Sequence, residues 1–134
     1  MHARSLLKYY RHAPRKAYAD GLDGTAMWCS NNSKGDDSFD PSDGPDDGIL
    51  WYGNDRRFVP SKNFEAFREG LEDVAYVDRL KKEIARVGGD AAAKYGTLVD
   101  EFEAQCKTPD QAAILKWRLA VGRAIDELMK ETAK

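Results

Sequence analysis

The pattern of hydrophobic positions is helical from Ser61 onward. Apolar residues recur at spacings of three and four, which predicts a long amphipathic helix with Ser61 as its N-cap and with Gly88-Gly89 at its end. We expect the buried stripe of this helix to consist of Phe64, Phe67, Leu71, Val74, Val77, Leu80, Ile84 and Val87.

Two further helices follow the glycine pair. Asp90 can cap the first of them, whose expected buried face is Tyr95, Leu98, Val99, Phe102 and Cys106. The run Thr108-Pro109-Asp110-Gln111 predicts the next start, with Thr108 as N-cap, a proline at the first helical position and Gln111 completing a capping box. Its apolar face is Ile114, Trp117, Val121, Ala124, Ile125 and Leu128. Three such helices with short connections predict an antiparallel bundle.

The N-terminal residues 3–18 also have a helical pattern. Pro14 interrupts this pattern, which predicts a kink or a break into two short pieces. Basic residues recur within it at spacings of three and four: Arg4, Lys8, Arg11 and Arg15. We interpret this stripe as solvated helix surface, and a phosphate-binding face is the alternative.

Two short apolar runs lie between these helical regions. Thr25–Cys29 and Ile49–Tyr52 each predict a short strand, and the chain is therefore expected to be mostly α with a small β element. The polar loop that separates them contains Asp36, Asp37, Asp40, Asp43, Asp46 and Asp47. Because these aspartates lack the spacing of an EF-hand loop, we favour a solvated acidic loop and keep a calcium-dependent binding module as an alternative.

Composition excludes several classes of protein. The 134 residues carry a net charge of −2, which disfavours nucleic acid as the main partner, and contain no apolar run of about 20 residues that would predict a membrane span. Cys29 and Cys106 do not form a disulfide framework, and no metal-ligand spacing or phosphate loop predicts a metal or cofactor. The N-terminus has no signal-peptide pattern, and the compartment stays open.

Candidates for catalysis are few. The two histidines both lie in the N-terminal helix, where we expect surface positions: His2 and His12. A group of acids on one helix is better explained as a charged outer face than as the carboxylate pair of a glycosidase: Glu65, Glu69, Glu72 and Asp73. Gly70 lies among them, at a helical cost of about 1 kcal/mol relative to alanine, and so predicts a close approach to another element.

Aromatic residues beside the polar loop are the remaining signal. Trp28 ends the first predicted strand, Asn31 follows it, and Trp51 lies in the second strand. Aromatic faces next to amide and carboxylate groups commonly hold sugars, whereas a tryptophan in the core is the structural alternative. We therefore name Trp28, Asn31 and Trp51 as candidate substrate-binding residues.

Three segments together resemble the C-terminal region of glycoside hydrolase family 123-like proteins. They are Asp47-Gly48-Ile49-Leu50-Trp51-Tyr52, Val59-Pro60-Ser61 and Glu65-Ala66-Phe67-Arg68-Glu69-Gly70-Leu71-Glu72-Asp73-Val74-Ala75-Tyr76. Upstream, the segment from Ala19 to Trp28 is similar to the strand that closes the (β/α)8 barrel of that family. The resemblance covers residues 3–87, and the chain departs from it at residues 51–54, where the family has a Tyr-Pro-Gly turn.

This resemblance implies a division into two regions. Residues 1–58 would be the end of a (β/α)8-barrel-like region, with its last helix and strand and the acidic loop, and residues 59–134 would be a C-terminal helical region that adds three antiparallel helices. The family motif Arg68, Glu69, Gly70, Glu72 and Asp73 would have a structural role, and Trp28 would form a wall of the sugar site.

The resemblance also implies a function. The family uses an adjacent Asp-Glu pair on an earlier barrel strand, and no position of this chain matches that pair. We therefore expect the C-terminal segment of a glycoside hydrolase-like, carbohydrate-active protein that is not catalytic by itself. Its expected partners are an N-acetylhexosamine-containing glycan and the missing barrel region of the same protein. The alternative is a stand-alone helical domain that binds another protein.

Overall fold

The fold is mostly helical, as the hydrophobic pattern predicts. A computed structural model describes residues 6–26, 50–52, 58–60 and 62–131. A π-helical segment, Leu6–Arg11, leads into α1 (His12–Ala19). The remaining elements are the strands β1 (Leu50–Tyr52) and β2 (Phe58–Pro60) and the helices α2 (Lys62–Val87), α3 (Ala91–Lys107) and α4 (Gln111–Lys130). No helix within these ranges is both long enough and apolar enough to cross a bilayer.

The N-terminal helical region changes from a π-helix to an α-helix close to Pro14. The chain is π-helical up to Arg11 and α-helical from His12, so the two pieces meet one turn before the proline. Pro14 lies in the first turn of α1 and has no N–H to donate to the carbonyl of Tyr10. The wider hydrogen-bond spacing of the preceding segment accommodates this missing donor.

The ends of α2, α3 and α4 lie close to the predicted positions. Gly88 and Gly89 follow α2 with φ angles of 67° and 55°, a region that glycine adopts without steric cost. Asp90 occupies the N-cap position of α3, but its side chain accepts no capping hydrogen bond. Asp90 therefore lies at the predicted N-cap position, but its side chain does not make the capping hydrogen bond that this position predicts.

The start of α4 differs from the prediction. Asp110 is the N-cap, and its carboxylate accepts a hydrogen bond of 3.0 Å from the N–H of Ala113. Thr108 instead closes α3, since its own N–H donates to the carbonyl of Ala104 at 3.2 Å. Because Thr108 still belongs to the preceding helix, Asp110 takes the capping role and Gln111 becomes the first helical residue.

Contacts between helices fix their directions. Lys94 near the start of α3 pairs with Glu127 near the end of α4, so α3 and α4 are antiparallel. Arg86, at the end of α2, donates to the carbonyl of Leu128 at 2.6 Å, which places the last turns of α2 and α4 side by side. Helices α2 and α4 therefore run in the same direction, and α3 returns between them, as a three-helix bundle with short connections requires.

Helix α1 runs parallel to α2. Arg11 near its start lies against Gly70, and the ring of Tyr18 near its end lies 5.0 Å from the ammonium group of Lys81. Tyr18 also packs edge-on against Phe102 of α3, with ring centroids 5.9 Å apart. Helix α1 is thus held in the groove between α2 and α3.

One core joins α2, α3 and α4. Its buried members are Val77, Leu80, Val87, Ala91, Tyr95, Phe102, Cys106, Trp117, Val121, Ala124 and Leu128. The prediction for the first turns of α2 is wrong at Leu71, which is 49% exposed, and Phe64 and Phe67 are only partly buried. The face of α2 turned toward α1 consists instead of Gly70, Asp73 and Val77, because α1 packs on that side.

The described β structure is one antiparallel pair. Leu50 is opposite Pro60, Trp51 is opposite Val59, and Tyr52 is opposite Phe58. Thr25 and Ala26 have no regular structure, and Met27–Cys29 lie outside the described residues, as does the whole aspartate-rich loop. The strand at Thr25–Cys29 and the calcium interpretation of that loop therefore stay predictions.

Candidate functional site

A buried carboxylate joins two buried arginines where α1 meets α2. Asp73 accepts hydrogen bonds from Arg11 Nε at 2.9 Å and from Arg11 Nη2 at 3.1 Å, and a third from Arg15 Nη1 at 2.8 Å. Asp73 and Arg15 are fully buried, and Arg11 is 2% exposed. Such bidentate pairing satisfies both carboxylate oxygens and fixes the rotation of α1 on α2.

Three partly exposed side chains complete this cluster. Glu69 Oε2 lies 2.7 Å from Arg11 Nη1, an ion pair without hydrogen-bond geometry. Arg118 of α4 donates to Glu72, and its Nε lies 3.5 Å from Asp73 Oδ1. We call these six residues the arginine–carboxylate network: Arg11, Arg15, Arg118, Glu69, Glu72 and Asp73. Three positive and three negative side chains make it neutral as a whole, which lowers the cost of burying its centre.

Arg15 extends the network to α3. Its Nη2 donates to Gln105 Oε1 at 2.8 Å, and its guanidinium carbon lies 4.6 Å from the ring centroid of Phe102 and 5.2 Å from that of Trp117. Its Nε is buried and has no hydrogen-bond partner. The aromatic faces provide an electrostatically favourable surface for the cation where hydrogen bonds are incomplete. One arginine of α1 thereby contacts all three helices of the bundle.

Gly70 allows this arrangement to form. A Cβ atom at Gly70 would overlap the carbonyl oxygen of Arg11 and would lie 2.8 Å from Cγ of Pro14. The close approach that a helical glycine predicts is therefore present at this position. The backbone of α2 lies directly against α1, and this short separation lets Asp73, one turn later, reach both arginines.

Two interpretations of charged residues are wrong. Arg11 and Arg15 are buried in the network, so the interpretation of the basic stripe as solvated helix surface is wrong for these two residues. Asp73 is likewise buried and does not belong to a charged outer face. Glu65 and Arg68 do lie on the surface, where Arg68 pairs with Glu65 and Glu72, and the hydrogen bond that Arg68 donates to Glu65 raises the pKa of Arg68.

Arg118 and Gln105 are members of the site that the sequence did not reveal. Both belong to helices that begin far along the chain from Arg15, and each fits equally well on a solvated helix surface. The only local signal was the spacing of Arg11 and Arg15, which places two cations on one side of α1. That spacing carries no information about a carboxylate 58 or 62 residues away.

The contacts at this site hold α1 against the bundle, which is a structural role. Both oxygens of Asp73 accept hydrogen bonds from arginine N–H groups, and within the described ranges no group of three or more side chains could hold a metal ion. His12 is half-buried, and burial together with Arg15 and Lys16 lowers its pKa. Burial also raises the pKa of the Cys106 thiol. Both shifts favour the neutral form of the side chain.

The predicted sugar-binding residues stay untested by the geometry. Trp28 and Asn31 lie outside the described residues. Trp51 lies in β1, and only its backbone is described. Of the motif residues, Glu69, Gly70, Glu72 and Asp73 come together with α1 and α4, while Arg68 lies on the outer side of α2. No protein-family model matches the chain, and no match to a curated protein or to a solved structure was found.

Proposed function

We propose that this chain forms the closing part of a (β/α)8 barrel of the glycoside hydrolase family 123-like type and is not catalytic by itself. In this proposal α1 is the last barrel helix, the segment at Thr25–Cys29 is the strand that follows it, and α2, α3 and α4 form the appended helical region. The ligand is an N-acetylhexosamine-containing glycan, with Trp28, Asn31 and Trp51 at its site.

The parallel packing of α1 and α2 is the observation that carries this proposal. A helix that follows a barrel strand is parallel to the barrel helix that precedes that strand, because the strand runs back in the opposite direction. The end of α1 lies beside Lys81, about 29 Å along α2 from its first residue, Lys62. The chain between α1 and α2 must cover that distance in reverse, as a barrel strand and its loops do.

The position of the family motif adds support. Gly70 and Asp73 of α2 lie against Arg11, at the start of α1, so the motif lies where the appended helices meet the helix assigned to the barrel. A buried, bidentate ion pair sets relative position more strictly than apolar contact does. The motif would thereby fasten the appended helices to the end of the barrel, without contacting the substrate.

One observation favours the alternative of a stand-alone helical interaction domain. The inner side of α1 is covered by α3 and α4, through Arg15 and Tyr18, and a single core joins α2, α3 and α4. A bundle of this kind can fold without further elements. The two proposals differ in whether the chain joins barrel strands, and the following experiment separates them.

The test is coexpression with the polypeptide encoded immediately upstream of the Met1 codon. We expect the two to copurify and to hydrolyse aryl N-acetylgalactosaminide or N-acetylglucosaminide substrates, whereas the chain alone is inactive. We also expect Trp28→Ala to weaken sugar binding, measured by fluorescence titration, with Leu115→Ala on the outer surface of α4 as the control. Binding by the chain alone should be weak, about millimolar, because the other walls of the site are absent.

Two results would contradict this proposal. Turnover by the chain alone that is lost in Glu69→Gln would make the acids of α2 catalytic. A chain that neither copurifies with an upstream barrel segment nor responds to N-acetylhexosamines would instead support the stand-alone interaction domain.

A further inference from the structure

An exposed apolar surface runs along the outer side of α2 and α4. The two helices form a shallow groove lined by Glu72, Ala75, Tyr76, Arg79, Ile125 and Met129. Met129 is 58% exposed, and Tyr76 is also open to solvent. Two further exposed leucines, Leu115 and Leu119, precede Met129 on α4. Exposed apolar side chains that gather around a groove in this way mark a place where another molecule docks.

The α2 side of this groove has a symmetric arrangement of charge. Glu72, Ala75, Tyr76 and Arg79 follow one another at helical spacing and share one face. Glu72 and Arg79 are equally distant from the midpoint between Ala75 and Tyr76. A two-fold axis through that midpoint therefore places Glu72 opposite Arg79 of a second copy, and does so twice.

The same axis pairs opposite charges farther along α2. Two further pairs at equal distances from the midpoint have an acid on one side and a base on the other: Glu65 with Arg86, and Glu69 with Lys82. All four side chains reach solvent at least in part. Two copies of α2 in antiparallel alignment therefore bring acids opposite bases, and the small side chain of Ala75 at the centre permits close approach.

We propose that the α2/α4 face is the contact surface between two copies of this chain in an antiparallel, two-fold symmetric dimer. Tyr76, Ile125 and Met129 form its apolar centre, and two Glu72–Arg79 ion pairs flank that centre. An isologous contact requires a surface that is complementary to itself, and the charged residues of α2 on this face have that property. The proposal depends on α2 and α4 alone and is independent of the barrel assignment.

Sedimentation equilibrium of the full chain over a range of concentrations tests the dimer. We expect reversible dimerisation that Met129→Glu weakens by about tenfold or more, because this change places a charge in the apolar centre. Met129 is exposed within the chain, so the variant should keep its helical circular dichroism. Lys107→Glu at the end of α3 alters charge away from the groove and should leave the dissociation constant unchanged.

A pair of charge reversals tests the geometry itself. Arg79→Glu and Glu72→Arg should each weaken self-association, since each places like charges opposite one another. An equimolar mixture of the two variants should form a heterodimer, because every facing pair is then opposite in charge. A chain that stays monomeric at all concentrations, or a dimer that these variants do not alter, would overturn the proposal. A monomer whose Met129→Glu variant no longer joins an upstream barrel segment would assign the face to that segment instead.

Discussion

Asp73→Ala is expected to destabilise the protein by about 3–5 kcal/mol, a large share of the stability of a domain of this size. The change removes the only fully buried carboxylate of the network and leaves Arg11 and Arg15 without their shared partner. Both guanidinium groups would then stay buried without a buried carboxylate beside them, or α1 would leave its groove to hydrate them. Either response lowers the free energy of unfolding, which chemical denaturation followed by circular dichroism measures.

A matched control is available on the same helix. Asp78→Ala makes the same chemical change at an exposed position, where Asp78 pairs with Lys82 across one turn. Exposed pairs of this kind contribute at most about 1 kcal/mol, so this variant should be close to the parent. Equal effects of the two substitutions would show that Asp73 is not buried against α1.

Replacing the three buried charged residues of the network by apolar residues provides a further test of this prediction. Combining Asp73→Leu with Arg11→Met and Arg15→Leu removes all three buried charges together and keeps much of their volume. Such replacements of a buried ion cluster are often neutral or stabilising, so most of the loss seen in Asp73→Ala should be recovered. Failure of the triple variant to recover stability would mean that the cost in Asp73→Ala does not come from unpaired arginines.

Gly70→Ala is expected to be the next most damaging change, at about 2–3 kcal/mol. The added methyl group would overlap the carbonyl oxygen of Arg11 and approach Cγ of Pro14 to 2.8 Å, so α1 must move outward. This movement also lengthens the ion pairs of Asp73. Helix propensity acts in the opposite direction, because alanine is favoured over glycine by about 1 kcal/mol within a helix.

Gly96→Ala in α3 provides the control for Gly70. A Cβ atom at Gly96 would meet nothing within 4 Å, so the gain in helix propensity should appear there as a small increase in melting temperature. The two glycine substitutions should therefore shift the thermal melt in opposite directions. A Gly70→Ala variant more stable than the parent would show that α1 does not rest on this part of α2.

The ends and the buried faces of the bundle helices could be predicted from the sequence, because the residues that determine them lie within each helix or directly beside it. The apolar spacing identifies Val77, Leu80 and Trp117 as core residues, and Gly88-Gly89 stops α2 through its own backbone preference. The sequence alone does not decide the start of α4, because Thr108 and Asp110 are both good capping residues. The residue at which α3 ends decides which of the two caps α4. That residue depends on how α3 packs.

The burial of charge could not be predicted in the same way. Arg11, Arg15 and Asp73 have ordinary positions on amphipathic helices, and their burial follows from a contact between segments about sixty residues apart. Leu71 is exposed for the same reason, since α2 turns Gly70 and Asp73 toward α1 and leaves its leucine outside. Gly70 was the one local indication that another element passes close by.

The parallel docking of α1 on α2 is the central claim, and a pair of distances between spin labels tests it most directly. With Cys29 and Cys106 replaced by serine and alanine, one label is placed at the exposed position of Ala19→Cys and the other at Lys82→Cys or Lys62→Cys. Double electron–electron resonance should give a short distance from residue 19 to residue 82. The distance to residue 62 should be longer, near the separation of about 30 Å between these two positions along α2. A short distance from residue 19 to residue 62 would contradict the parallel arrangement and the account built on it.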